Sequence, residues 1–261
     1  MFRLGNVITI MRILILAVLL LLISASTILA DYKTGDEVIA AMYKKYNKTW
    51  YSTLTFQQAT TNYKPDGTSS VSTWYEALLA PGELRIDFTP LEKHDGIIFA
   101  GGKLYSFKDG KLAASRDFVH PLLVLGFDVY KQPVATTIGQ LKGMEIDLSV
   151  VHEEQWQGKT TIVVGAKQGD LTTPQFWIDK KDLVFVRLIQ KAGRDKKSIQ
   201  ETQFNNYKKV KGGWVSAEVK FYVDGKIATT EEYTNIKTGM TLSPDLWNTD
   251  KWATVDQSYW K

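Results

Sequence analysis

The sequence carries few of the side chains that usually perform catalysis. It has no cysteine, which excludes thiol nucleophiles, disulfides and a lipid-modified cysteine. Its three histidines, His94, His120 and His152, are far apart, and His152 is followed by two glutamates and not by the rest of a His-Glu-x-x-His zinc motif. There is no Gly-x-Ser-x-Gly nucleophile elbow. These residues predict that the protein is not an enzyme and that it needs neither a metal nor another cofactor.

One kind of catalytic arrangement stays open. The chain has 28 aspartates and glutamates, and two of them could meet in the fold as an acid pair for glycoside hydrolysis. No spacing singles out such a pair, so a hydrolase is the least favoured of three interpretations of the sequence. His120, directly before Pro121, is more typical of a residue that caps or borders a helix than of a general base.

Residues 1–30 have the pattern of a secretory signal peptide. They contain two arginines and no acid, then an uncharged run from Ile13 to Ile23, then small residues ending at Ala30. The pattern predicts cleavage between Ala30 and Asp31. An uncleaved anchor is the alternative, because the 18 uncharged residues from Ile13 to Ala30 are at the short limit of a spanning helix.

The mature chain, residues 31–261, is expected to be one domain in the periplasm. Its 231 residues (261 − 30) can enclose a sizeable core, and the 44% hydrophobic content of the whole chain excludes a disordered protein. Loss of the two signal-peptide arginines changes the formal net charge from +4 to +2. A charge this close to neutral argues against nucleic acid as a partner.

The segment at residues 83–88 alternates strictly between charged and apolar side chains. Glu83, Arg85 and Asp87 fall on one side, and the three residues between and after them are apolar. Such alternation predicts a strand with one apolar face and one solvated face.

Twelve segments have the composition and the bounding turns of β-strands. Tight turns such as Gly101-Gly102 and Asp109-Gly110 separate neighbouring segments. Consecutive strands joined by short turns pair antiparallel, which favours a meander over a βαβ fold. The predicted strands are Thr53–Asn62, Ser69–Leu79, Glu83–Phe88, Ile97–Ala100, Leu104–Phe107, Met144–His152, Thr160–Ala166, Gln175–Asp179, Leu183–Lys191, Ile199–Tyr207, Trp214–Val223 and Lys226–Asn235.

Besides the short helix start indicated at Ser243-Pro244-Asp245, three segments are predicted to be helical. The segment from Thr34 to Trp50 starts with the capping-box spacing of Thr34 and Glu37 and carries an apolar stripe. Two shorter segments, His120–Phe127 and Pro133–Lys142, have a proline at or beside their first residue. We expect these two segments to lie over the apolar face of the sheet.

Four segments, in their order along the chain, carry a family resemblance. They are Phe56-Gln57-Gln58 after the first helix, Ala80-Pro81-Gly82-Glu83-Leu84-Arg85, Gly101-Gly102-Lys103-Leu104-Tyr105, and Phe176-Trp177-Ile178-Asp179-Lys180 running into Leu183-Val184-Phe185-Val186-Arg187. The chain thereby resembles, over nearly all of residues 31–261, the LolA-like family of periplasmic outer-membrane lipoprotein carriers, to which LolB and the lipid-sensing part of RseB are similar. The resemblance implies a mainly β fold with a few helices. The implied fold is a strongly curved antiparallel half-barrel sheet, with an N-terminal helix and a short helical lid over its concave apolar face.

The resemblance also implies a function. The protein would be a periplasmic lipoprotein or lipid carrier that binds acyl chains in an apolar cavity and passes them toward the outer membrane. Its partners would be the acyl chains of lipoproteins or phospholipid, with an inner-membrane donor and an outer-membrane acceptor protein, and we expect a monomer. The alternative is an envelope protein that uses the same cavity to sense lipid or lipoprotein. One position departs from the family, because Ala80 stands where carriers have an arginine that helps to hold the lid closed.

A cavity of this kind needs no reactive side chain. At about 0.8 kcal/mol per buried methylene, a chain of roughly sixteen carbons contributes on the order of 10 kcal/mol before entropy is subtracted. The candidate lining residues are apolar and lie at inward strand positions or in the lid, although ordinary core packing is the alternative for each of them. They are Phe56, Leu84, Ile86, Phe88, Leu122, Leu123, Leu125, Phe127, Ile146, Leu148, Phe176 and Ile178.

Aromatic residues in the predicted strands suggest a second kind of binding surface. A strip for carbohydrate or protein could form from Trp74, Tyr75, Trp177, Trp214, Tyr222 and Tyr233. Aromatic residues are also ordinary strand formers, and we favour that interpretation here.

Overall fold

The computed structural model describes residues 32–193 and 195–260, so the predicted signal peptide at residues 1–30 lies outside the described residues. The described chain forms one open antiparallel sheet of 13 strands, with a few helices. The predicted fold class, mainly β with a curved antiparallel sheet, is confirmed. The strands are β1 (Thr53–Tyr63), β2 (Ser69–Leu79), β3 (Glu83–Phe88), β4 (Gly96–Ala100), β5 (Lys103–Lys108), β6 (Lys111–Asp117), β7 (Val151–Trp156), β8 (Lys159–Val164), β9 (Gln175–Asp179), β10 (Phe185–Ala192), β11 (Ser198–Val210), β12 (Gly213–Val223) and β13 (Lys226–Thr238).

The first and last strands meet in the middle of the sheet. From β1 the chain runs outward strand by strand to β6 at one edge, and then crosses to β7 at the opposite edge. From β7 it runs back inward to β13, which pairs with β1. The crossing segment between β6 and β7 contains two of the helices, so the topology carries them from one edge of the sheet to the other.

Within the described residues, three α-helices accompany the sheet: α1 (Gly35–Tyr46), α2 (Pro121–Gly126) and α3 (Val134–Gly143). The predicted N-cap of α1 is present, because the Thr34 hydroxyl accepts a hydrogen bond from the Glu37 backbone N–H at 3.3 Å. The Glu37 carboxylate reaches back to accept from the backbone N–H of Lys33, one residue before the capping-box position. No helix in residues 32–193 or 195–260 is long and apolar enough to cross a membrane.

Two element predictions were wrong. Strand β6 was missed because all its seven residues are exposed, and a strand with no buried face shows no alternation of apolar residues. Residues 144–150 were predicted to begin a strand, but α3 continues to Gly143 and Glu145 then adopts a left-handed conformation with φ of 62°. The chain enters β7 only at Val151, so Ile146 and Leu148 are buried from a loop.

The face of β3 that was predicted to be solvated is covered. Arg85 and Asp87 are 0% and 1% exposed, because residues 240–259, here called the C-terminal tail, pack over the convex face of the sheet. Trp252 of the tail stacks on Phe107 with ring centroids 4.2 Å apart, and the Arg85 guanidinium lies 3.9 Å from the Trp252 ring. The sheet therefore has a second, smaller core on its convex side.

A buried ion pair joins the sheet to the C-terminal tail. Arg85 donates to both carboxylate oxygens of Asp87, at 2.8 and 2.7 Å, and to the carbonyl oxygens of Leu246 and Trp252. Asp87 also accepts from the hydroxyl of Tyr259 at 2.5 Å. With these partners, two charges that would be unfavourable when buried alone are satisfied by hydrogen bonds.

Candidate functional site

A cavity of about 310 Å³ lies between the concave face of the sheet and α2. Its volume is at the lower end of the ~300–1,000 Å³ of typical ligand sites. Six of its apolar wall residues come from strands on both sides of β1. These are Leu78, Leu84, Ile86, Leu188, Phe204 and Phe221.

Six of the twelve predicted lining residues form the wall of this cavity. They are Phe56, Leu84, Ile86, Leu122, Leu123 and Phe127. The structure brings them together as the strand alternation requires, because Phe56, Leu84 and Ile86 all project from the concave face of neighbouring strands.

The other six predicted residues lie outside the cavity wall. Leu125, Ile146, Leu148, Phe176 and Ile178 are buried in the apolar core that continues beyond it. Phe88 is half-buried and packs against Trp74, with ring centroids 4.8 Å apart. These residues contribute to the core, the alternative considered for each of them.

The lid of the cavity consists of α2 and the following turn at Asp128–Tyr130. The ring of His120 caps α2, since its Nδ1 accepts a hydrogen bond from the backbone N–H of Leu122 at 3.2 Å. Burial lowers the pKa of His120 to about 4, so the ring is neutral at pH 7 and can accept this bond. The predicted role of His120 as a capping residue is therefore confirmed.

Two contacts hold the end of the lid. The carboxylate of Asp128 accepts a hydrogen bond from the backbone N–H of Gly82 at 2.9 Å, in the turn between β2 and β3. The ring of Tyr130 stacks on Trp50, with centroids 3.8 Å apart. The resemblance led us to expect a lid-holding arginine at position 80, which is Ala80 in this chain. The lid is instead held two residues later, at Gly82, whose backbone N–H donates to Asp128.

The buried surroundings of Asp128 also make its carboxyl group harder to ionise. Burial raises its pKa from 3.8 to about 7, although the Gly82 hydrogen bond acts in the opposite direction. The group therefore changes charge near neutral pH at the point where the lid is attached to the sheet.

A polar cluster that the sequence analysis missed lies in the cavity wall. Glu76 on β2, Gln58 on β1, and Glu231 and Tyr233 on β13 all line the cavity. Tyr233 donates its hydroxyl hydrogen to Glu231 Oε2 at 2.9 Å. The available signal was the alternation of β2, which places Glu76 on the same side as Leu78.

Both carboxyl groups of this cluster are difficult to ionise. Burial, and then the nearby charge of Glu231, hold the pKa of Glu76 well above its usual range. Burial raises the pKa of Glu231 to about 7, while hydrogen bonds from Tyr233 and Gln58 lower it. Both groups are therefore more readily protonated than an exposed glutamate, and Glu231 changes charge near neutral pH.

The six aromatics of the proposed surface strip do not share one surface. Trp177 is 1% exposed and buried in the core. Trp74 and Tyr233 face the cavity, whereas Tyr75 packs with the second core on the opposite side of the sheet. In the described residues there is no group of three or more His, Cys, Asp or Glu side chains that could hold a metal ion.

An open, curved sheet with a helical lid over a cavity on its concave side defines a half-barrel class of protein. Solved structures place the chain within it. A DUF1329 family protein from Desulfovibrio piger is 13% identical with a TM-score of 0.53, over 82% of this chain and 95% of that one. An outer membrane lipoprotein-sorting protein domain from Vibrio parahaemolyticus is 12% identical with a TM-score of 0.55, over 82% and 97%.

A LolA superfamily protein from Nitrosomonas europaea is 10% identical with a TM-score of 0.50, over 80% of this chain and 96% of that one. No family model matches the chain, and no curated protein matches it. At these identities the similarity establishes the fold. The chain has the LolA-like fold, as the resemblance of its sequence predicted.

Proposed function

We propose that the protein is a non-enzymatic periplasmic carrier that binds acyl chains of lipoproteins or phospholipid and passes them toward the outer membrane. The observation that carries the proposal is the cavity of about 310 Å³ between the concave face and the lid. The LolA-like fold supports it, as does the outer membrane lipoprotein-sorting protein among the similar structures. Export by residues 1–30 would deliver the protein to the periplasm.

The wall residues explain how such a cavity would hold an acyl chain. Each methylene removed from water contributes about 0.8 kcal/mol, so even a segment of roughly eight carbons contributes on the order of 6 kcal/mol before ordering is subtracted. No directional bond is needed along the chain. Lipid would enter and leave by movement of the lid, which covers the cavity and is attached at Asp128 and Tyr130.

In the carrier mechanism, an inner-membrane donor protein would load the cavity and an outer-membrane acceptor would empty it. Transfer between them needs only differences in affinity for the cargo, because a carrier without catalytic groups moves cargo by mass action. The protein would act as a monomer in this cycle, with no nucleic acid partner.

A matched pair of leucine substitutions tests acyl binding. Leu122 on the lid lines the cavity and is only partly buried, whereas Leu112 on β6 is 54% exposed and does not line it. We expect Leu122→Glu to weaken binding of a fluorescent long-chain alcohol by roughly tenfold or more, because a carboxylate then faces the chain. Leu112→Glu should leave the affinity unchanged.

Native mass spectrometry of residues 31–261, purified from a periplasm without detergent, identifies the natural cargo. Co-purified lipid that is absent from Leu122→Glu but present in Leu112→Glu supports the proposal. A bare protein mass, with no uptake of the fluorescent alcohol by the unsubstituted chain, contradicts it.

Transfer is tested separately from binding. Vesicles that contain an acylated fluorescent peptide are mixed with acceptor vesicles, with and without the protein. A rate of transfer that rises with protein concentration supports a carrier. Binding without any transfer would instead favour the sensor interpretation.

A further inference from the structure

The cavity combines apolar walls with two carboxyl groups, and the one basic side chain among its lining residues, His120, has a pKa lowered by burial to about 4. Glu76 and Glu231 line it from strands on either side of β1, and none of the residues lining the cavity is a lysine or an arginine. A cavity that held only alkyl chains would have no use for either group. Their presence points to a polar part of the cargo.

Glu76 is the more informative of the two. Its side chain is 4% exposed and lines the cavity, yet among the described residues no hydrogen bond or ion pair reaches its carboxylate. Buried carboxyl groups almost always have such partners, since an unpaired one is strongly unfavourable. A group in this state is available to a ligand.

Glu231 is held in place on the other side of β1, where it pairs in register with Thr60 while Glu76 pairs with Phe56. The hydroxyl of Tyr233 donates to Glu231 Oε2 at 2.9 Å, whereas Gln58 of β1 donates to the Thr60 hydroxyl at 2.8 Å and lowers the pKa of Glu231 from nearby. Gln58 pairs in register with Trp74 on β2 and with Tyr233 on β13, so it lies on the strand that separates the two glutamates. The result is one oriented carboxyl group and one without a partner, both on the same face.

We propose that the cavity is selective for amphiphiles with an amine-bearing, cationic head group, which Glu76 and Glu231 bind while the apolar walls bind the chain. This inference rests on the proposed function, because it assumes that the cavity takes an alkyl chain. An ammonium group carries three N–H donors and no acceptor, which suits two carboxylates. Its positive charge also supplies the partner that no side chain in the wall supplies.

The same geometry disfavours an anionic head group. A fatty-acid carboxylate brings no positive charge to this position and would oppose ionisation of both glutamates, because like charges at short range are unfavourable in a low-dielectric cavity. A neutral alcohol could donate one hydrogen bond to Glu76 but would supply no positive charge to either carboxyl group. Amine, alcohol and acid probes of equal chain length therefore distinguish the possibilities.

The test measures binding of dodecylamine, 1-dodecanol and dodecanoate to residues 31–261 by isothermal titration calorimetry at pH 7.4, below micelle-forming concentrations. We expect dodecylamine to bind roughly tenfold or more tightly than 1-dodecanol, since hydrogen bonds to charged groups are the strong ones. Dodecanoate should bind most weakly.

Two matched variants assign the effect to the proposed residues. Glu76→Gln keeps the shape of the side chain and should remove most of the preference for dodecylamine, while 1-dodecanol binding stays within about twofold. Glu232→Gln neutralises the next residue after Glu231, an exposed carboxyl group outside the cavity, and should change neither affinity. A thermal melt of each variant verifies that it is folded, and Glu231→Gln replaces Glu76→Gln should the latter fail to fold.

The outcomes separate this inference from the proposed function. Equal binding of dodecylamine and 1-dodecanol, or a preference that Glu76→Gln and Glu231→Gln both leave intact, overturns the inference but keeps an acyl-binding cavity. If none of the three probes binds, both proposals fail together.

Discussion

Replacement of Asp128 by asparagine should stabilise the protein, and increasingly so as the pH rises. The Asp128 carboxyl group is buried where the lid joins the turn between β2 and β3, and it accepts the Gly82 N–H at 2.9 Å. An asparagine side-chain oxygen can accept the same bond without carrying a charge. The substitution therefore removes the penalty of a buried charge and retains the lid contact.

The magnitude follows from the difference in pKa. Burial raises the pKa of Asp128 from 3.8 to about 7, which is a difference of about 3 units. At 1.36 kcal/mol per unit, the folded protein loses on the order of 4 kcal/mol between these two values. The sign is that of an acid with a raised pKa: its contribution is most favourable below pH 4, is lost as the pH rises to about 7, and is constant above.

Urea unfolding followed by tryptophan fluorescence at pH 5, 6, 7 and 8 measures this effect. The free energy of unfolding of Asp128→Asn minus that of the unsubstituted protein should increase by about 1.4 kcal/mol per pH unit up to pH 7. Asp250→Asn, at an exposed aspartate, provides the baseline. If Asp128→Asn and the unsubstituted protein change in parallel with pH, the Asp128 carboxyl group ionises normally in the folded state and the reasoning is refuted.

Two further predictions concern the second core. Arg85→Met leaves the buried Asp87 carboxylate without its cation. We therefore expect the free energy of unfolding in urea to fall by about 3–5 kcal/mol and the C-terminal tail to be proteolysed faster. A fall below about 1 kcal/mol would show that the pair is not buried. In Gly96→Ala, the new Cβ would lie 2.2 Å from the Ile86 carbonyl oxygen and 2.7 Å from the Trp252 ring, and should reduce stability by about 1–3 kcal/mol. Its control, Gly139→Ala in α3, has open space around the new methyl and should raise stability by up to about 1 kcal/mol; equal effects of the two would contradict the tail packing.

Local patterns predicted most of the strands because their composition and the turns that bound them are visible in the sequence itself. Gln175–Asp179 and Ser69–Leu79 were predicted with their observed bounds. Strand β6 has no buried face, so periodicity could not indicate it. The order of strands, with β1 beside β13, depends on pairing between residues about 180 positions apart, such as Gln57 and Thr234, and no local signal contains it.

Only six of the twelve predicted lining residues lie in the cavity wall. Alternation shows which side of a strand a residue faces, but it does not show what covers that side. Leu84 and Ile86 face the cavity as expected, whereas Phe176 and Ile178 on β9 face the same way and are simply buried. Arg85 was predicted to be solvated, and only the position of the C-terminal tail shows that it is not. Coverage is a tertiary property, set here by the crossing segment on one face and the tail on the other.

The two carboxyl groups in the cavity set limits on what the cavity is for. Burial makes Glu76 unfavourable when it is ionised, because none of the residues that line the cavity is a lysine or an arginine that would pair with its carboxylate. An apolar residue at the same position would stabilise the protein and would improve the site for a bare alkyl chain. The Tyr233 hydroxyl donates to Glu231 and so orients its carboxyl group at the cavity wall. A cargo with a cationic head group makes both features favourable at once, which alkyl chains alone do not.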